Sequence, residues 1–414
     1  MKAKQGRVLF VGAALLAVVV SACTSSAESG GGSTTTAKAD ASLLGPVNKA
    51  SGSPVKLGFM YEGSSPTGDN KDQLEVAQAA AKYANERLGG VGGRPVELDV
   101  CADHQTPSGA TDCANQMITD EVVAVVDYTP ANPAQVVDPL VKAKIPLIVF
   151  AGGDASVLMT DGVSTIGNPL GFVGAPLKTA KADGLKTIAM IYPDVPAAAQ
   201  LPVLAKSVYQ KQGIETLLSS VPLGTADLTP QVQAAISNGA DQFFVIGDDQ
   251  ICATAIKAMK NLAFDGKVYS NTNCLASDAG QDLGGFDNLY YVGASATSDL
   301  DAEVRLYHAV LAEYAAGVKE PDSDVVPGSY GVVLAFVRAM KDVGSGDITN
   351  ETTAATLLAM HPQTLPLLAG QTFQCDRKKS ELLPSVCSNA TVIEPIASDG
   401  TVKKVIAFDA TPYL

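Results

Sequence analysis

The chain has 414 residues, 46% of them hydrophobic, and a formal net charge of −14. That size and apolar content suit two ordinary domains with real cores. The acidity argues against a nucleic-acid partner, which needs Lys and Arg surfaces to neutralise phosphate, and against broad electrostatic adhesion to anionic lipid.

The amino terminus reads MKAKQGRVLFVGAALLAVVVSACTSSAESGGGSTTT. Lys2, Lys4 and Arg7 precede an apolar run from Val8 to Val20, which has the length of a secretory signal core. It is too short to span a bilayer of ~30 Å. The tetrapeptide VSAC that follows resembles the bacterial lipobox, in which the new N-terminal Cys, here Cys23, carries lipid. An ordinary signal peptide with an incidental Cys is the competing reading. The Gly/Ser/Thr-rich stretch behind Cys23 is a flexible tether. Residues 1–22 are therefore expected to be a signal peptide and 23–53 a tether that holds the body to the membrane through lipid. Removing the first 22 residues, with three cations and no anion, takes the net charge to −17. No later apolar run is long enough for a transmembrane helix.

From Val55 the pattern alternates. VKLGFMY predicts a buried strand, and Leu74, Ala77, Ala81, Ala84 and Leu88 share one face of a helix with acids at its start and Gly89–Gly90 at its end. VELDVCA, VVAVVDY and IPLIVFAGG predict strands, with helices over SGATDCANQMITD and NPAQVVDPLVKAK between them. The alternation restarts at KTIAMIYP and runs through IETLLSSVP, DQFFVIGDD, KVYSNT and LYYVGAS. Strands alternating with helices build parallel sheets covered on both faces. From DAEVRLYHAVLAEYAAG the chain turns helical, and these helices are expected to pack back on the first lobe. The last stretch predicts a hairpin with Asp399–Gly400 at its turn. The predicted fold is α/β, two doubly wound parallel-sheet lobes joined by a multi-crossing hinge. Lobe one is assigned 54–170 and 296–366, lobe two 171–295 and 367–414. Ligands in such folds sit at the carboxyl ends of the strands.

Apart from Cys23 there are six cysteines, an even number that reads as disulfides in an exported chain, although six allow 15 connectivities. Pairing of sequence neighbours, Cys101–Cys113, Cys252–Cys274 and Cys375–Cys387, is favoured. Zinc is disfavoured, because no pair has C-x₂₋₄-C spacing and the chain has only three His. No metal or cofactor is expected.

The stretch GGVGGRPVELDVCADHQTPSGATDCANQMITDEVVAVVDY, with KAKIPLIV after it, resembles the first lobe of type I periplasmic binding proteins of the branched-chain amino acid (Leu/Ile/Val-binding) kind. The order of elements fits from Val55 to the end. The resemblance implies an extracytoplasmic, monomeric solute receptor that delivers a small molecule to an ABC permease complex. It also implies a set of ligand contacts. Tyr128 and Thr129 fall where relatives hold the ligand carboxylate, and Gly152, Gly153 and Asp154 fall in the next ligand loop. Asp154 departs from the family pattern and would repel a carboxylate. In the second lobe Asp248, Asp249 and Asn273 fall where relatives hold the amino group, with Tyr192 at the cleft edge. Each has a plainer role open to it: Asp248 and Asp249 as caps of the following helix, Asp154 as a turn residue, Thr129 as a capping neighbour and the tyrosines as packing.

No reactive constellation stands out. H-E-x-x-H, G-x-S-x-G and G-x-x-x-x-G-K-[ST] are missing, and His104, His308 and His361 lie in unrelated contexts. The expectation is a binding protein without catalysis. Alternatives are a lipoprotein that senses its ligand for a membrane partner, or an exported hydrolase.

Overall fold

The computed structural model describes residues 40–65, 68–168, 170–271, 274, 288–323, 325–381 and 383–413. Cys23 and Asn273 lie outside them. Strands β1 (Val55–Tyr61), β2 (Val96–Ala102), β3 (Val125–Asp127), β4 (Leu147–Val149) and β5 (Val163–Thr165) form a wholly parallel sheet in the order β2-β1-β3-β4-β5. Strands β6 (Thr187–Pro193), β7 (Glu215–Val221), β8 (Gln242–Val245), β9 (Val268–Ser270) and β10 (Leu289–Gly293) repeat that order as β7-β6-β8-β9-β10. Antiparallel β11 (Ala390–Pro395) and β12 (Ile406–Asp409) extend the second sheet beside β10. The hairpin between them turns at Asp399, whose carboxylate accepts from the Thr401 N–H, and at Gly400, with φ of 85°.

Central strands of such sheets are covered on both faces, so they read as continuous apolar runs. Phe59, Met60, Val125, Leu147, Ile148, Phe243 and Phe244 are buried accordingly. In the first sheet the covers are α1 (Asp72–Tyr83), α2 (Pro107–Thr119), α3 (Pro133–Lys142) and the short α4 (Ala155–Met159). Then come α5 (Leu170–Asp183), α6 (Pro196–Lys211), α7 (Thr229–Ser237) and α8 (Asp249–Asn261) on the second. Finally α9 (Ala302–Tyr314) and α10 (Val326–Ala339) pack on α1, and α10 reaches β3 and β4; α11 (Asn350–Ala359) follows. Thr106, Asp154, Asp248, Asp301 and Thr349 each cap a helix by accepting a backbone N–H of its first turn. The three disulfides are Cys101–Cys113, Cys252–Cys274 and Cys375–Cys387.

Three crossovers connect the sheets, and they bond to one another. The buried Asn168 side chain of the first donates to Asn389 Oδ1 of the third at 2.7 Å. The Ala296 N–H of the second donates to the Leu367 carbonyl at 2.6 Å. Glu394, fully buried on β11, accepts from the Thr297 N–H and hydroxyl, and burial pushes its pKa up against those bonds. The sequence reading gave the chain after 366 wholly to lobe two. Residues 385–387 instead run beside β5: Thr165 N–H donates to the Ser385 carbonyl at 2.7 Å and Cys387 N–H to the Thr165 carbonyl at 2.8 Å. Arg377, inside the same disulfide loop, pairs with Asp161 at 2.5 Å.

Helix α10 carries two glycines one turn apart. A Cβ on Gly328 would sit 2.0 Å from Tyr128 Cδ2, and one on Gly331 would sit 2.6 Å from Phe150 Cε2. Both rings, which stack with centroids 6.2 Å apart, thus lie directly on the helix backbone. Gly331→Ala and Gly328→Ala should each lower stability by about 1–3 kcal/mol through overpacking. Urea unfolding measures it; an unmoved midpoint would show that the rings yield without strain.

Candidate functional site

In a doubly wound sheet the crevice opens at the carboxyl edge where strand order reverses. Here that point lies between β1 and β3 in one sheet and between β6 and β8 in the other. Beside it lies a cleft of about 520 Å³. One wall is Gly153, Ala155, Leu158 and Met159, from the loop after β4 and from α4. The opposite wall is Leu201 and Leu204 of α6, with Phe244 and Ile246 at the end of β8. Phe172 of α5, Asn271 after β9 and Leu383 of the third crossover complete it. Phe172 and Asn271 also line an adjoining chamber of about 50 Å³, walled by Tyr128, Phe150, Tyr291, Thr297, Tyr307 and Asp322 among others.

Of the residues expected from sequence, Gly153 lines the cleft and Tyr128 the adjoining chamber. The others that are described line neither. The Thr129 hydroxyl donates to the Ala151 carbonyl, which ties the loop after β3 to the loop after β4. Gly152 is buried where a Cβ would meet Val157 Cγ1 at 2.7 Å, so it lets α4 close on its own loop. Asp154 caps α4 through the Ser156 N–H at 2.8 Å, and Asp248 caps α8 through the Ile251 N–H at 2.9 Å. Asp249 is the exposed first residue of α8, and Tyr192 is buried near the end of β6. The apolar walls on α4, α6 and the third crossover were not foreseen. The signal for one of them is the unbroken run LPVLA, 201–205, which is wider than a core stripe needs, and Val203 and Leu204 are 60% and 39% exposed. Met159, across the cleft, is 58% exposed.

The family model for periplasmic binding proteins matches residues 54–383. The chain belongs to that family. No curated protein sequence matches it. Among solved structures it is similar to a fatty acid ABC transporter substrate-binding protein from Thermomonospora curvata, at 16% identity and a TM-score of 0.65, covering 88% of this chain and 96% of that one. It is also similar to a branched-chain amino acid transporter substrate-binding protein from Streptococcus pneumoniae solved with isoleucine, at 14% identity and a TM-score of 0.62, covering 86% and 99%. A third is a solute-binding protein of an ABC transporter from R. palustris in complex with 4-hydroxybenzoate, at 17% identity and a TM-score of 0.65, covering 87% and 98%. These likenesses establish the two-lobed fold of type I periplasmic binding proteins.

In this periplasmic binding protein a buried acid stands at the carboxyl edge of the first sheet. Asp127 ends β3 and is buried; desolvation, then the charges of Asp103 and Glu62, hold its carboxyl well above the usual range, against a bond from the Thr129 N–H. Among the described residues no cluster of His, Cys, Asp and Glu is placed to hold a metal ion. His308 on α9 lies between Asp299 of the second crossover, at 2.7 Å, and Asp322 of the loop before α10, at 2.9 Å. The bond to Asp322 does most to raise its pKa to about 8, against partial burial. Because Asp322 walls the small chamber, this clamp holds a chamber loop to the hinge.

A cation stabilised by folding contributes fully below its unfolded pKa and loses that contribution as pH rises through the folded value. The His308 clamp should therefore be intact below pH 6.5 and lost as pH rises through about 8. The loss should be about 1–2 kcal/mol. Melting temperature measured from pH 6 to 9 should fall in the parent and fall less in His308→Gln. Equal slopes would remove the clamp from the account.

Proposed function

We propose that the chain is an extracytoplasmic solute-binding lipoprotein, anchored through Cys23, that captures a small molecule between its lobes and hands it to an ABC importer. The observation that carries this reading is the cleft itself, with apolar walls drawn from both lobes. A ligand body seated there gains about 0.8 kcal/mol per buried methylene. Contacts to both walls exist only when the walls approach, so such a ligand favours the closed form. Two of the similar structures hold isoleucine or 4-hydroxybenzoate and a third is named for fatty acid transport, and all of these are small solutes with an apolar part. Nothing in the reading calls for turnover, a cofactor or a second subunit. Tyr128 and Gly153 touch the solute in this account, while Thr129, Asp154 and Asp248 hold the loops that carry the walls. Lobe boundaries lie at the three crossovers.

Two measurements test it. Mass spectrometry of the natively purified mature chain should find a bound small molecule, and that molecule at 100 times its dissociation constant should stabilise the fold by ~2.7 kcal/mol. Leu204→Asp, at a half-exposed position in the cleft mouth, should abolish that shift while leaving the unliganded melting temperature within a few degrees. A shift that survives this change would move the site elsewhere. Cys23→Ala should release the protein from the membrane fraction, since one tethered lipid is the only anchor proposed. Retention of the variant would refute lipid anchoring.

A further inference from the structure

Part of one cleft wall comes from a stapled loop. The third crossover closes a ring between Cys375 and Cys387, and Leu383, inside that ring, lines the cleft together with Leu158 and Met159 of α4. The ring opens with the polar run DRKKSE, residues 376–381, so the leucine does not continue a core segment. It is nevertheless fixed by both of its backbone groups. Its N–H donates to the Ser380 hydroxyl oxygen at 3.1 Å, and its carbonyl accepts from the Val386 N–H at 3.1 Å. The second bond closes a β-turn with Pro384 at its second position, where the preset φ of proline suits the turn. Val386 is buried and anchors that turn in the interior. Ser385, also buried, commits all three of its polar groups to the first lobe. Its N–H donates to the Leu158 carbonyl at 3.1 Å, its hydroxyl donates to the Thr160 carbonyl at 3.0 Å, and its carbonyl accepts from the Thr165 N–H at 2.7 Å.

We propose that Leu383 determines the size of solute that the cleft accepts, and that Ser385 is the positioning residue that holds it in place. The proposal rests on the reading of the cleft as the ligand site. A side chain on a mobile loop would retreat before a larger ligand with little loss. Here retreat would break the bonds of Ser385, and a buried polar group left without its partner is costly. The disulfide restricts the loop further by tying its two ends together. On the opposite wall Leu201 and Leu204 stand on α6, a helix of 16 residues, so a solute meets regular structure on that side. Between such walls each methylene that fits gains affinity by about fourfold, and one that does not fit gains nothing. The position of Leu383 therefore grades solutes by size.

Straight-chain alcohols from hexan-1-ol to dodecan-1-ol give a size series on one chemistry. They are titrated into the mature chain against N-phenyl-1-naphthylamine, a neutral fluorescent reporter of apolar sites, with melting temperature as the check on folding. In the parent, affinity should rise about fourfold per methylene and then level off at a limiting length. Leu383→Ala should move that limit to a longer alcohol, which then binds at least about fourfold more tightly than to the parent. Leu383→Phe should move the limit to a shorter one. Ser385→Ala should shift it in the same direction as Leu383→Ala, and Ser385→Thr, which keeps the hydroxyl, should restore the parent limit. A parent series without a limit, or a limit unchanged in both Leu383 variants, overturns the inference; if Leu204→Asp abolishes alcohol binding, the cleft reading survives. A limit unchanged in Ser385→Ala, or not restored in Ser385→Thr, overturns the role of Ser385. Binding of neither the alcohols nor the reporter, with the fold intact, overturns the apolar-cleft reading along with the inference.

Discussion

A parallel strand can hand its chain onward only at its carboxyl edge, and this constraint organises everything else in the molecule. Both sheets have the same strand order, so each concentrates its outgoing loops at one edge and opens them at one reversal point. The loops after β3, β4, β8 and β9 supply Tyr128, Gly153, Ile246 and Asn271 for that reason. Packing then sets the fine geometry. Tyr128 and Phe150 can lie on α10 only because Gly328 and Gly331 leave the helix backbone bare there.

The chain passes between the two sheets at three crossovers, and bonds tie these to one another and to the sheets. Asn168–Asn389 and Ala296–Leu367 tie crossover to crossover, whereas Glu394–Thr297 ties the second crossover to β11 of the second sheet. The third crossover is bound to the first sheet along β5. In the third crossover only residues 388 and 389 separate the stretch bound to β5 from the start of β11. Leu383 lies beside α4 in the cleft, held there by the Ser385 N–H donating to the Leu158 carbonyl, and α6 stands opposite.

The alternation of strand and helix was legible because each element repeats a period strong enough to see, and the disulfide pairing followed from proximity. Strand β5 was not legible: three residues, Val163–Thr165, carry no period, and its partner along 385–387 is more than 200 residues away. The site was legible as a set of loops and not as a set of contacts. Thr129, Asp154 and Asp248 have the chemistry to meet a ligand, but the same chemistry satisfies backbone groups nearby, and local partners are always in reach. Apolar wall residues give the opposite difficulty. Leu158 and Leu201 look like core in a sequence, and only the third dimension shows that the space beside them is a cleft.

One disulfide bears on the compartment in which the site holds its shape. Cys252 lies in the first turn of α8, and Cys274 lies three residues beyond Asn271. The Asn271 side chain also bonds to Gly247, just before the α8 cap Asp248. A covalent link and a hydrogen bond therefore close the same pair of loops beside Asn271. The hydrogen bond alone is worth about 1 kcal/mol. The disulfide, closing a short loop, adds a constraint of roughly 3 kcal/mol in the chain-entropy account. In a reducing compartment the loop after β9 would rest on the weaker tie, and the position of Asn271 would no longer be fixed. Such a site needs an oxidising environment to hold its shape. The Cys252–Cys274 bond thus agrees, from independent physics, with the extracytoplasmic place that the family implies.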